Sequence, residues 1–188
     1  CDEFGLDTYS TGGVIGFAME LYEKGIINQQ QTDGLKLEWG NEDIVFELIR
    51  KIALREGFGD TLADGFKPAI TKIGKASEYY AIQVKGMSNL PSDERATPSF
   101  ALGIATSTRG ADHLRSRPAI DMYGLPEDLL EEVYEAPVSS DYTSYDGKSR
   151  MIWWQERLYA VADSVGLCKF QTVFCAVHAP KWNEWSKL

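Results

Sequence analysis

The pattern Asp-x-x-Gly-Leu occurs twice, as Asp2-Glu3-Phe4-Gly5-Leu6-Asp7 and as Asp163-Ser164-Val165-Gly166-Leu167-Cys168. Ordinary residue frequencies yield one copy on the order of one time in ten in a chain this long, and two less than about one time in a hundred. Either copy alone reads as a helix terminus, with glycine left-handed and leucine packing back on the last turn. As a pair they read as a grip. A carboxylate accepts adjacent N–H donors from a planar heterocycle, glycine lets the backbone approach closely, and leucine holds the loop in the core. Two copies imply two such ligands, held where the turns converge on a shared hollow. Cys168 directly follows the second copy, so a thiolate there sets a soft metal centre against the same ligand.

The chain has two histidines. His113 lies in a polar segment, Thr108-Arg109-Gly110-Ala111-Asp112-His113, and reads either as a structural histidine paired to Asp112 or a backbone carbonyl, or as a proton carrier. His178 sits between apolar residues and Pro180 and reads as packing or surface. Arg109, Arg115, Arg117 and Lys85 can face phosphates, because guanidinium matches phosphate in two-pronged fashion; for Arg115 and Arg117 a solvated or salt-bridged face is at least as good a reading. The tryptophans, Trp39, Trp153, Trp154, Trp182 and Trp185, read as core and interface material. No Gly-x-Gly-x-x-Gly follows a strand and no Gly-Lys-Ser/Thr loop exists, which disfavours nucleotide binding.

The elements that must position these residues are helical. Val14, Ile15, Phe17, Ala18, Leu21 and Tyr22 recur at three- and four-residue spacing and predict a helix over 10–24, stopped at Gly25. Asn41, followed by Glu42 and Asp43, caps a second helix whose stripe is Ile44, Val45, Leu48, Ile49 and Ile52. A short helix from Asp60 carries Leu62, Phe66 and Ile70, with a break or kink expected at Pro68. Residues 84–95 read as a long loop dividing two lobes, 99–107 as a tightly packed helix, and Pro126 as a helix start. Residues 136–148 read as a surface loop, and a long helix covers 149–164 with Ile152, Trp153, Tyr159, Val161 and Ala162 inward. Tyr79 to Val84 is the one β candidate. The expected fold is all-α and multihelical, two packed helical lobes over 1–84 and 85–188.

Composition narrows the function class. Of 188 residues, 44% are hydrophobic and 25% charged, ordinary values for a chain with a buried core. The 19 Lys and Arg against 28 Asp and Glu leave a net charge of -9, a sign that repels a phosphate backbone and argues against nucleic acid as partner. No apolar run approaches the roughly 20 residues that cross a bilayer. Three cysteines at unpatterned spacing, Cys1, Cys168 and Cys175, argue against a disulfide framework and fit a reducing, cytoplasmic setting. Motif-like sequence begins at once after Cys1, so the chain reads as the downstream part of something longer.

The two motifs, together with Leu6-Asp7-Thr8, Ala63-Asp64-Gly65, Lys85-Gly86-Met87, Ala105-Thr106-Ser107-Thr108-Arg109-Gly110-Ala111-Asp112-His113-Leu114 and Gly166-Leu167-Cys168-Lys169-Phe170, resemble the tungsten-containing aldehyde ferredoxin oxidoreductases. The resemblance spans nearly the whole chain. It implies that Asp2, Gly5, Leu6 and Asp7 serve one tungstopterin and that Asp163, Gly166 and Leu167 serve the other, with Arg109 also toward the cofactor. It implies that Cys168 is one of four thiolates on a [4Fe-4S] cluster, whose other cysteines lie upstream with a pterin-saddling domain. It places His113 beside the metal, where an imidazole can move the proton that accompanies aldehyde oxidation. Electrons would pass to ferredoxin or an electron-transfer subunit. Because a cubane needs four ligands, the isolated chain is expected to be cofactor-free and inactive.

Ser88, Leu90 and Glu94 stand where aldehyde-type members commonly have Glu, Pro and Pro. That departure, the stretch Arg115-Ser116-Arg117-Pro118-Ala119-Ile120-Asp121 and Trp153-Trp154-Gln155 look more like the branch that reduces aromatic acyl-coenzyme A. In that branch the resemblance makes Cys1 a tungsten ligand; otherwise Cys1 is a small buried hydrophobe beside the motif. The competing class is a helical scaffold or interaction module that kept the loops and lost catalysis.

Overall fold

The computed structural model describes residues 1–118 and 125–169. Expectations that fall on Ala119–Asp121, Phe170, Cys175, His178, Trp182 and Trp185 lie outside them. The chain divides into two compact units, Cys1–Pro91 and Ser92–Leu188. Among the described residues are seven α-helices and one two-stranded hairpin, an all-α, multihelical fold. Among them no helix is long and apolar enough to cross a membrane.

The first unit opens with a single 3-10 turn, Asp2–Phe4, and continues into α1 (Thr8–Glu23). Asp7 caps α1: its carboxylate accepts the Ser10 backbone N–H at 2.7 Å. Val14, Ile15, Phe17, Ala18 and Leu21 are buried, as the three- and four-residue spacing requires, and Ala18 and Leu21 have no exposed area. In α2 (Glu42–Leu54) the Asn41 side chain accepts the Ile44 N–H, and Leu48 and Ile52 join the same core. Phe17 and Phe66 meet edge to face, centroids 5.3 Å apart, and this tethers α1 to the segment that begins at Phe66.

Three expectations for this unit change. The single helix from Asp60 is two, α3 (Phe58–Leu62) and α4 (Phe66–Ile73), and the break falls at Gly65 rather than Pro68. Pro68 is the third residue of α4, where its missing N–H is one the helix leaves unbonded anyway. Residues 79–84 are β only at β1 (Gln83–Val84), since a 3-10 stretch runs over Lys75–Tyr80. The segment read as a long loop contains β2 (Met87–Ser88), antiparallel to β1, joined by Lys85-Gly86 with both φ positive. That is the two-residue hairpin geometry whose twist matches the strands.

The second unit holds a 3-10 turn at Glu94–Ala96, α5 (Pro98–Thr106), α6 (Glu127–Tyr134) and α7 (Lys148–Ser164). Pro98 opens α5 at a position where no N–H is needed. Leu130, Val133, Tyr134, Val138 and Met151 form a core under the 136–147 loop, with Trp154 edge-on to Tyr134 at 5.3 Å. The inner face of α7 is Lys148, Met151, Ile152, Gln155, Tyr159 and Ala162. Trp153 and Val161, expected inward, are 43% and 58% exposed. The physical reason for Trp153 is that its ring carries the Arg150 and Arg157 guanidiniums, at 4.3 and 3.4 Å, so the indole is covered by charge rather than core. Trp39, also read as core or interface material, is 56% exposed.

Candidate functional site

The two Asp-x-x-Gly-Leu segments have the same backbone. In the first, the Gly5 N–H donates to the Asp2 carbonyl (3.0 Å) and the Leu6 N–H to the Cys1 carbonyl (3.1 Å). In the second, the Gly166 N–H donates to the Asp163 carbonyl (3.2 Å) and the Leu167 N–H to the Ala162 carbonyl (2.9 Å). Gly5 has φ 65° and Gly166 φ 71°, a region other residues enter only with strain. A Cβ on either glycine would meet nothing within 4 Å, so the space above each turn is open. The second copy ends α7 with both paired bonds of a left-handed helix cap, and the first does the same after its single 3-10 turn. The helix-terminus reading thus holds for both copies, each a left-handed cap with an uncovered glycine.

Around the first turn, the Asp2 side chain is exposed and has no ion pair among the described residues. Leu6 packs against the core of the unit. The Asp7 carboxyl is held below its ordinary value by hydrogen bonds from the Ser10 side chain and amide. Cys1 is half-buried and lines a hollow of about 480 Å³ whose walls include Thr8, Gly12, Ile15, Trp39 and Val45. Cys1 therefore borders both the first turn and an apolar cavity between α1 and α2.

The second turn is surrounded by charge. Asp163 Oδ1 lies 2.7 Å from Lys169 Nζ, and Asp163 Oδ2 lies 3.7 Å from Arg115 Nη1. Arg115 Nε in turn reaches Asp112 Oδ2 at 3.4 Å, and Arg109 Nη1 reaches the same oxygen at 3.3 Å. Asp112 is buried, and its other oxygen accepts the Leu114 N–H at 2.9 Å. Arg109, expected toward cofactor, thus shares Asp112 with Arg115. Leu167, expected in the core, is 44% exposed although its cap matches that of Leu6, and Cys168 beside it is exposed.

His113 projects from the loop that this network anchors. Its ring meets Phe100 of α5 edge to face at 6.4 Å, and its carbonyl accepts the Arg117 N–H. Burial, reinforced by the Arg117 charge and partly offset by Asp112 and Glu94, lowers its pKa below the ordinary 6.5. The imidazole is therefore neutral near pH 7, the form that accepts a proton. Tyr159 of α7 donates its hydroxyl to the Arg117 carbonyl at 2.9 Å, and burial pushes its pKa up to about 12.

Within the second unit the structure brings together Arg109, His113 and Asp163, with Gly166, Leu167 and Cys168 on the same turn. Cys1, Asp2, Gly5, Leu6 and Asp7 are gathered in the first unit. Sequence reading gave Lys169 no role of its own and named Asp112 only as a partner for His113; the salt-bridged face read for Arg115 is found, on Asp112 and Asp163. The spacing carries no signal for these contacts: Lys169 donates to the Leu114 carbonyl, 55 residues away.

The donor chemistry accords with known proteins. A family model described as aldehyde ferredoxin oxidoreductase, domains 2 and 3, matches residues 1–188. The chain is 37% identical over 173 residues to the tungsten-containing aldehyde ferredoxin oxidoreductase of Pyrococcus furiosus, covering 92% of this chain and 27% of that protein. The Thermococcus kodakarensis protein of the same name is 35% identical over 173 residues, with the same coverage. An aliphatic sulfonate oxidoreductase, WOR-like subunit, of Pyrococcus furiosus is 33% identical over 157 residues, 80% of this chain and 25% of that one. Among solved structures, the active site complex BamBC of benzoyl coenzyme A reductase, in complex with 1,5-dienoyl-CoA, superposes with TM-score 0.64 at 26% identity, over 88% of this chain and 28% of that chain. The chain spans about 27% of the length of the first two relatives. It belongs to the aldehyde ferredoxin oxidoreductase family, matching the model of that family's domains 2 and 3.

Proposed function

We propose that this chain is the helical, cofactor-facing part of a tungsten bis-pterin oxidoreductase, in which Asp2 with Gly5 and Asp163 with Gly166 each receive one pterin. The observation that carries the reading is the shared backbone of the two turns, each presenting a carboxylate beside an uncovered left-handed glycine. The residues fit a pterin: an exposed carboxylate is an acceptor for adjacent N–H donors, and no side chain closes the space above either glycine. Cys168 would give one thiolate to a [4Fe-4S] cluster. Among the described residues no group of three His, Cys, Asp or Glu side chains could hold a metal, so the remaining cluster ligands would come from elsewhere in the full protein.

When bound on these residues, tungstopterin would supply two-electron chemistry, and a cluster held in part by Cys168 would allow single-electron exchange with ferredoxin or an electron-transfer subunit. What the chain itself does is bind, orient and move a proton. Asp2 and Asp163 orient the ligand edges. His113, kept neutral by burial, accepts one of the two protons at an imidazole nitrogen as an aldehyde and water become a carboxylic acid, two electrons and two protons, the other proton leaving to solvent. The apolar hollow beside Cys1 gives the substrate side chain a water-poor route.

A second substrate reading, an aromatic acyl-coenzyme A, is supported by the likeness to the benzoyl coenzyme A reductase complex and by Ser88, Leu90 and Glu94. Under it, Cys1 is a tungsten ligand.

The test is to express the full-length protein anaerobically with tungstate, quantify tungsten, iron and pterin, and assay a panel of aldehydes and benzoyl-coenzyme A. The expected result is two pterins per tungsten and turnover of one panel. A full-length protein free of tungsten and pterin would defeat the proposal. His113→Asn should cut turnover and leave metal content intact; unchanged turnover removes it from the site.

A further inference from the structure

Lys169 is a nearly buried ammonium whose directions are all used. Its side chain is 10% exposed. Nζ lies 2.7 Å from Asp163 Oδ1, donates to the Leu114 carbonyl at 2.8 Å, and stands 4.9 Å from the centre of the Tyr159 ring. One partner is the acidic residue of the second turn, one is the backbone next to His113, and one is the inner face of α7. Burying an ammonium is costly unless it is paired and hydrogen-bonded, and here a carboxylate, a carbonyl and an aromatic face share that role. Arg115 closes the ring from the other side, joining Asp163 to Asp112, whose carboxylate holds the Leu114 N–H.

We propose that Lys169 is a positioning residue that ties the second acidic turn to the His113 loop, so that the ligand-gripping carboxylate and the proton-accepting imidazole are set in place by one cation. The inference deepens the functional reading above and rests on it for the ligand, but the tie itself is a property of this chain. Without the ammonium, Asp163 is oriented only by Arg115, at the longer distance of 3.7 Å, and the Leu114 carbonyl loses its donor. Partners that orient a ligating group change affinity or activity by about 10–100-fold when removed.

The experiment compares wild type, Lys169→Met, Lys169→Gln and Lys169→Arg in the full-length protein. Backbone amide exchange is read over 112–117 and 165–168, together with tungsten and pterin retained after dialysis and the pH profile of turnover. In Lys169→Met and Lys169→Gln, exchange should quicken in both segments at once and retained pterin should fall roughly tenfold or more. The pH limb assigned to His113 should move, and Lys169→Arg should restore all three. Quickening confined to 165–168, or wild-type pterin and pH limb in Lys169→Met, overturns the proposal. Failure of both neutral variants to fold while Lys169→Arg folds overturns it as well, since Lys169 is then simply structural. A wild-type protein free of pterin defeats the functional reading alone, and the paired exchange response still decides the tie.

Discussion

The first acidic turn stands clear of its neighbours, whereas the second is wired into them. They share the two cap bonds, from glycine and leucine N–H, with glycine φ at 65° and 71°. Asp2 meets no cation among the described residues, and Leu6 is anchored in the core. Asp163 has Lys169 and Arg115 on its two oxygens, and Leu167 is largely exposed. A five-residue pattern specifies a cap, because the bonds that make it run within six residues. It does not specify the field around the carboxylate, which comes from residues far away in sequence. Asp2 thus leaves its carboxylate oxygens to a ligand, and Asp163 shares its own with two cations.

The sharpest way to break this contrast is to remove each carboxylate. Asp163→Ala strands the nearly buried ammonium of Lys169 and should cost about 1–3 kcal/mol in urea denaturation. Asp2→Ala should stay within about 0.5 kcal/mol, as an exposed unpaired residue does. Equal costs would mean that the charge network around Asp163 does nothing in solution. The glycines test the similarity instead: Gly5→Ala and Gly166→Ala should each cost about 1–2 kcal/mol, because both positions are left-handed and neither is crowded. A large difference between them would show that the two backbones are not equivalent.

The leucines should diverge by less. Leu6→Ala removes a side chain half-buried on the first core and should cost about 1 kcal/mol, whereas Leu167→Ala should change stability by under about 0.5 kcal/mol. The smallest effect expected is one of pH. His113 has a folded pKa below 6.5, so the unfolded chain binds more protons as pH falls through 6.5, and the second unit loses that contribution first. Asp7 has a folded pKa below 3.8, so the cap on α1 keeps its contribution above 3.8 and loses it only as pH falls through the lower folded value. Protection of the Leu114 amide, corrected for the intrinsic exchange rate at each pH, should therefore fall at milder acidity than protection of the Ser10 amide. Simultaneous onset would contradict the two shifts.

The helices that position the turns were legible in the sequence where local rules govern them. Asn41 and its acidic neighbours marked the start of α2, and the spacing of Val14, Ile15, Ala18 and Leu21 marked the inner face of α1. Legibility failed where tertiary partners reassign a side chain. Trp153 looks like core by hydrophobicity but is shielded by two arginines on its own helix, while Gln155 and Lys148 are buried despite their polarity. Lys148 is accommodated because its ammonium donates to the Ser139 carbonyl of the 136–147 loop. The candidate site divides in the same way. The repeated motif disclosed both turns and the cysteine beside one of them, but not Lys169, whose importance comes from a carbonyl 55 residues away.

The central claim is that each acidic turn holds its own pterin, and the most direct measurement is the pterin content per chain of the full-length protein carrying Asp2→Ala, Asp163→Ala or both. The pterin-to-protein ratio should fall in each single variant and fall further in the double, with helix content by circular dichroism preserved in Asp2→Ala. Wild-type pterin and tungsten content in both single variants would contradict it.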